Sequence, residues 1–141
     1  MTNYDSAQIL PAVEADLEIL ARIHSISYLP ELVMAFFFKD WPNPEPFNVL
    51  YTARLSQLFK DPKSQVFKIQ DTSSNEILGL VCLTLVDVQE GEEADKNELS
   101  LENIREHLKP PPGFNFEFAG FVESNLRKLS EPIKGKKHYR L

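Results

Sequence analysis

The 141-residue chain has one cysteine, five glycines and no long apolar run. A single thiol, Cys82, excludes an internal disulfide and any zinc site built on several cysteines. It lies within an apolar run, so its simplest role is that of a small buried hydrophobe, and a reducing compartment fits it. The glycines are Gly79, Gly91, Gly113, Gly120 and Gly135, and the closest pair is seven residues apart. A Walker loop and a dinucleotide fingerprint both need closer pairs, so neither can exist here. There is no Gly-x-Ser-x-Gly elbow. His24, His107 and His138 are too scattered for a metal-ligand spacing. The stretch from Asp95 to Ser100 lacks the glycine and closing glutamate of a calcium loop. The longest apolar run, around residues 33–38, falls far short of the roughly 18 residues of a membrane span. The first residues lack a basic segment followed by an apolar one, so no secretory signal and a cytoplasmic location are expected.

Apolar residues make up 43% of the chain and aromatics 11%, enough for a core. A domain of this size buries roughly 70% of the surface its unfolded chain exposes. One domain, residues 1–141, is expected, with an acidic insertion at about 87–106. That insertion holds Asp87, Glu90, Glu92, Glu93, Asp95, Glu98, Glu102 and Glu106 against Lys96 and Arg105, which accounts for the whole net charge of −6. It reads as a solvated loop. Near the end, Arg127, Lys128, Lys134, Lys136, Lys137 and Arg140 face only Glu131. One short basic segment on an acidic chain makes a poor nucleic-acid binder, because that affinity rests on many phosphate contacts. Neither nucleic acid nor membrane is an expected partner.

Prolines punctuate the chain. Residues 8–13 read as a strand, with Pro11 tolerated at an edge. Asp16 is placed to cap a helix over 17–27 whose apolar positions are Ile19, Leu20, Ile23 and Ile26. His24 borders that face and reads as a packed neutral histidine. Pro30 can open a second helix through Phe38, apolar nearly all round and therefore buried or lining a pocket. The run Trp41-Pro42-Asn43-Pro44 is a turn. A third helix over 47–60 carries Phe47, Leu50, Tyr51, Leu55, Leu58 and Phe59 on one stripe and stops at Asp61-Pro62. Strands over 65–70 and 77–86 flank turn residues 71–75 and form an antiparallel hairpin. The second strand is apolar on both faces and should be central and covered on both sides. A short helix over 101–108 is capped by Ser100, and Asn115 caps a further helix bearing Phe118, Phe121, Val122, Leu126 and Leu129. His138-Tyr139-Arg140-Leu141 reads as the opening of a strand.

Three stretches carry a family resemblance. Ile9-Leu10-Pro11-Ala12-Val13-Glu14-Ala15-Asp16 is similar to the first strand of the GNAT acetyltransferases and its entry into helix one. Phe59-Lys60-Asp61-Pro62, Val66-Phe67-Lys68-Ile69 and Glu76-Ile77-Leu78-Gly79 are similar to that family's passage from helix to hairpin. Pro111-Pro112-Gly113-Phe114-Asn115 with Lys137-His138-Tyr139-Arg140-Leu141 resembles a subgroup with an insertion before the fourth strand. The resemblance implies an α+β fold of α/β type: a mainly antiparallel sheet with helices packed on it, reaching the start of the fourth strand. It implies an acetyl-CoA-dependent transfer of an acyl group to the amine of a small molecule or peptide.

In that family, acetyl-CoA is held beyond the start of the fourth strand, where a glycine loop offers backbone N–H groups to the pyrophosphate at a helix start. The glycine spacing excludes that loop here, so this chain alone is expected to be a truncated, inactive form that does not bind acetyl-CoA. What the resemblance leaves is the amine side. The connection after the first helix walls the acceptor pocket in the family, which makes Tyr28, Phe37 and Trp41 the candidate substrate residues. Asp87, at the end of the long hairpin strand, is the one carboxylate placed as a family catalytic base would be. The alternative function is a non-catalytic interaction module that dimerises or binds a partner through the open edge of its sheet.

Overall fold

The computed structural model describes residues 6–86, 104–108, 110–130 and 138–140. Asp87, most of the acidic insertion and the connection at 131–137 lie outside the described residues. The fold is α+β. Strand β1 (Ala7–Pro11) is followed by a 3-10 turn (Glu14–Asp16) and helix α1 (Leu17–Ser27). Helix α2 (Met34–Phe37) is one turn long, and α3 (Glu45–Lys60) is the longest helix. Strands β2 (Ser64–Asp71) and β3 (Ile77–Val86) form the hairpin. A single π-helical turn (Ile104–Leu108), helix α4 (Phe116–Ser130) and strand β4 (His138–Arg140) complete the elements.

The four strands lie in chain order, β1-β2-β3-β4, and every pair is antiparallel. Pro11 sits on the outer strand opposite Phe67, where its missing N–H costs no ladder bond. The hairpin turns through Asp71, whose carboxylate accepts N–H bonds from Ser73 at 2.7 Å and Ser74 at 3.1 Å. Asn75 takes the left-handed conformation that closes the turn, at φ 61°. The ladder slips one residue between Ile69 and Gln70, so that Leu78 bulges outward and is 47% exposed.

Helices α1 and α3 pack on one face of the sheet. Leu20, Ala21, Leu55, Leu58 and Val66 form that core, with Ile77, Leu80 and Cys82 against it. A second core gathers Met34, Phe38, Phe47, Leu50, Ile104 and Leu108. Ser25, buried between α1 and α3, donates to the Ala21 carbonyl at 2.8 Å and reaches Asn48 Oδ1 at 3.3 Å.

Four expectations need correction. The buried stripe of α1 is Leu20, Ala21 and Ser25; Ile19 and Ile26 are exposed, because the face turned to α3 is the one carrying small residues that allow close approach. Asp16 does not cap α1. Its carboxylate accepts from the Val13 N–H at 2.9 Å and closes the preceding 3-10 turn instead. The second helix is four residues, not nine, and Leu32, Val33 and Phe36 stand exposed. Strand β3 is central, but among the described residues helices cover only the face of Leu80 and Cys82. The cap at Asn115 is present: its Oδ1 accepts from the Phe118 N–H at 3.0 Å.

Candidate functional site

Helices α1 and α3 bring a cluster of rings together above β3. His24, one turn before Tyr28, lies flat on Tyr51, with ring centres 3.6 Å apart and planes 10° apart. Tyr28 and Phe47 close around it at 5.0 and 5.7 Å. This follows from helical spacing. His24 and Tyr28 share a face of α1, and Phe47 and Tyr51 share the facing stripe of α3. Burial holds His24 neutral and lowers its pKa to about 4. Burial likewise raises the Tyr51 phenol well above its ordinary range, and its bond to Cys82 adds to this. The Cys82 thiol is raised by burial, against the opposing pull of the Tyr51 hydroxyl and the Arg54 charge.

All three groups are therefore held in their uncharged forms near neutral pH. A neutral thiol is a weak nucleophile, and an imidazole titrating near 4 is a poor base at pH 7. What the geometry shows here is close ring packing with one internal hydrogen bond. Sequence reasoning placed His24 correctly as a packed neutral ring but missed its partner Tyr51. The signal was present in the four-residue spacings of both helices.

The three candidate acceptor residues fall in the second core. Tyr28 meets Phe47 edge-on at 5.3 Å. Phe47 meets Phe38 at 5.6 Å, and Trp41 lies 6.5 Å beyond Phe38. Phe37 faces the other way, onto Phe114 at 6.4 Å and Phe118 at 4.8 Å. All three are half-buried members of one aromatic cluster, but Phe38 and Phe47 stand between them. The structure thus brings Tyr28 and Trp41 to a shared core without facing them across a common space, and it sets Phe37 against α4.

Among the described residues, a concave space lies away from these rings. A groove of about 360 Å³ opens where β1 leaves β2, lined by Pro11, Ala12, Leu58, Phe59, Ser64, Gln65, Val66 and Phe67. Its polar wall is already occupied, since the Ser64 hydroxyl donates to Asp61 Oδ2 at 2.6 Å and lies 2.8 Å from the Thr84 hydroxyl. Next to the groove runs the sheet face opposite the helices. It presents Ile9, Phe67, Ile69, Val81 and Leu83, with Ile9 67% exposed. Among the described residues no group of His, Cys, Asp and Glu side chains could hold a metal, and no helix is long and apolar enough to cross a membrane.

No protein-family model, curated protein or solved structure matches the chain.

Proposed function

We propose that these 141 residues carry the amine-acceptor side of an acetyl-CoA-dependent N-acetyltransferase of the GNAT type, with acetyl-CoA held by residues outside them. The observation that carries this reading is the sheet. Its antiparallel strands follow chain order, β3 is long and central, and β4 starts antiparallel beside its far end, with Val86 opposite His138. A mainly antiparallel sheet that reaches the start of a fourth strand is what the resemblance implies, and the sheet supports the reading to that extent. The apolar sheet face opposite α1 and α3 supports it further, because a layered domain buries both faces of such a sheet.

In this reading the amine of a small molecule or peptide is met by Tyr28 and Trp41 at separate points on the rim of the second core, and Phe37, which the resemblance also assigns to the acceptor side, is turned onto Phe114 and Phe118 instead. Asp87, directly after β3 in the sequence, takes the proton released as the amine attacks the thioester carbon; the C–S bond then breaks, coenzyme A leaves as the thiolate, and the thiolate takes up a proton from solvent to become the thiol. Transfer requires the thioester to be held beside the amine, and that positioning supplies a large part of the rate gain. The glycine spacing leaves the 141 residues without a pyrophosphate cradle.

The test is acetyl transfer from labelled acetyl-CoA to a panel of polyamines, aminoglycosides and N-terminal peptides. The 141-residue chain is expected to give no turnover. The natural protein, recovered through an N-terminal epitope, is expected to acetylate at least one amine. An inactive natural protein that binds no acetyl-CoA overturns the proposal.

A second reading has an observation of its own. Among the described residues β4 pairs only with Thr84, Leu85 and Val86, so the edge of β3 over residues 77–83 has no strand beside it. Such an edge receives an added strand. This interaction module would run as a stable complex or dimer, and a monomer at micromolar concentration speaks against it.

A further inference from the structure

The chain has a second apolar surface, on α4, that neither reading uses. The first half of α4 rests on α2: Phe118 stacks on Phe36 at 5.2 Å and meets Phe37 edge-on, and Ala119 is buried. Past that point, among the described residues, the helix outruns its support. Leu126 is 58% exposed, Leu129 76%, Phe121 65%, and Phe36 beside Phe118 60%. Phe118, Val122, Asn125 and Leu129 are spaced by four, three and four, which aligns them as one stripe, with Phe121 and Leu126 on its two sides.

We propose that this stripe is the contact surface of a homodimer in which two copies of α4 pack antiparallel. Two quantities favour a second copy as the occupant. The first is area. Four large side chains, each about two-thirds exposed, offer roughly 500 Å² of apolar surface. That is close to the apolar share of the roughly 800 Å² that each partner gives to a standard interface. It lies within the roughly 300–600 Å² of the largest apolar patch on a typical monomer, a patch that is often functional.

The second is charge. Glu117 and Lys128 are eleven residues apart, about three helical turns, so they lie on the same flank of the stripe at opposite ends. Two helices packed parallel about a two-fold along their axes would turn this flank toward the opposite flank of the second copy, and Glu117 would not reach Lys128. Packed antiparallel about a two-fold axis between Val122 and Asn125, Leu129 meets Phe118 of the second copy, and Phe121 and Leu126 close the two sides of the seam, each beside its own counterpart. Lys128 then meets Glu117 of the second copy, twice over by symmetry. The charges on the other flank, Glu123 and Arg127, pair within the helix at 2.8 Å and do not oppose this arrangement.

Sedimentation velocity on the 141-residue chain between about 1 and 100 µM tests the proposal, since these concentrations bracket a modest interface of this area. A concentration-dependent dimer is expected. Glu117→Lys and Lys128→Glu each raise the dimer Kd about tenfold, by setting like charges together at both symmetry-related contacts, and the double variant restores it. Leu126→Asp with Leu129→Asp abolishes the dimer. The charge variants change exposed surface residues only, so they stay informative if the apolar variant unfolds. A monomer throughout the range overturns the proposal. So does a dimer whose Kd is indifferent to the charge swaps, which would place the interface elsewhere, such as the free edge of β3.

Discussion

Lys68, in the middle of β2, grips both carboxylate oxygens of Asp16: Nζ lies 3.0 Å from one and 2.9 Å from the other. Both side chains are mostly shielded, at 15% and 13% exposure. The pair ties the 3-10 turn that launches α1 to the sheet below it. It therefore sets the height of the helix carrying His24 and Tyr28. Burial alone would raise the Asp16 pKa, but the Val13 N–H and Lys68 outweigh it and leave it lowered. A lowered folded-state pKa means stability that is present above the unfolded value, near 3.8, and lost as pH falls through the folded one. Asp16→Asn should cost about 1–2 kcal/mol at pH 7. Urea unfolding at pH 7 and pH 3 checks this. The gap between the two proteins should narrow at pH 3, and an equal gap at both would contradict the assignment.

His24 gives a second pH dependence with the same sign. Its folded-state pKa, about 4, lies below the unfolded 6.5, so the unfolded chain binds the extra proton between those values. Stability contributed by the neutral ring is complete above 6.5 and falls as pH drops toward 4. His24→Phe keeps the stack on Tyr51 and removes the titration, so it should lose less stability over that range. The imidazole proton shifts of the native chain should titrate near 4; a midpoint at or above 6.5 would refute the buried stack.

Gly113 takes φ +82°, and a Cβ there would stand 3.1 Å from the Lys39 Cβ. The close approach exists because the Lys39 N–H donates to the Gly113 carbonyl and the Asn115 N–H to the Phe37 carbonyl. Gly113→Ala should destabilise by about 1–2 kcal/mol, from the left-handed conformation alone. Asn75→Gly, at the other left-handed position, should be neutral or mildly stabilising. Thermal melts of both variants measure the contrast.

The two faces of the sheet should respond differently to truncation. Leu55 is fully buried between the sheet and α1, and Leu55→Ala should cost about 2.5–5 kcal/mol. Ile9→Thr, on the opposite face at 67% exposure, should cost well under 1 kcal/mol. Equal costs would mean that the second face is covered in solution.

These contrasts also mark what could be read from sequence. Helices α1 and α3 and strand β3 were legible because local signals agreed. The apolar stripe of α3 runs into Asp61-Pro62, and the apolar run of β3 begins after a turn rich in Asp, Ser and Asn. The segment from Pro30 to Phe38 was misread because it is apolar at nearly every position and so carries no period. Its path is set by a single bridge between Phe38 and Phe114, seventy-odd residues away, which no local pattern announces. The candidate site divides the same way. The family resemblance points to Tyr28, Phe37 and Trp41, but the interposed Phe38 and Phe47 are a tertiary fact. The role of Asp16 was misjudged for a related reason: an acid before a helix reads as a cap until a lysine on a distant strand claims it.

The most direct measurement of the central claim is acetyl transfer by the natural protein, recovered through an N-terminal epitope. The account predicts that it binds acetyl-CoA and acetylates an amine, while the 141 residues alone do neither. A natural protein that neither binds acetyl-CoA nor transfers its acetyl group would contradict it.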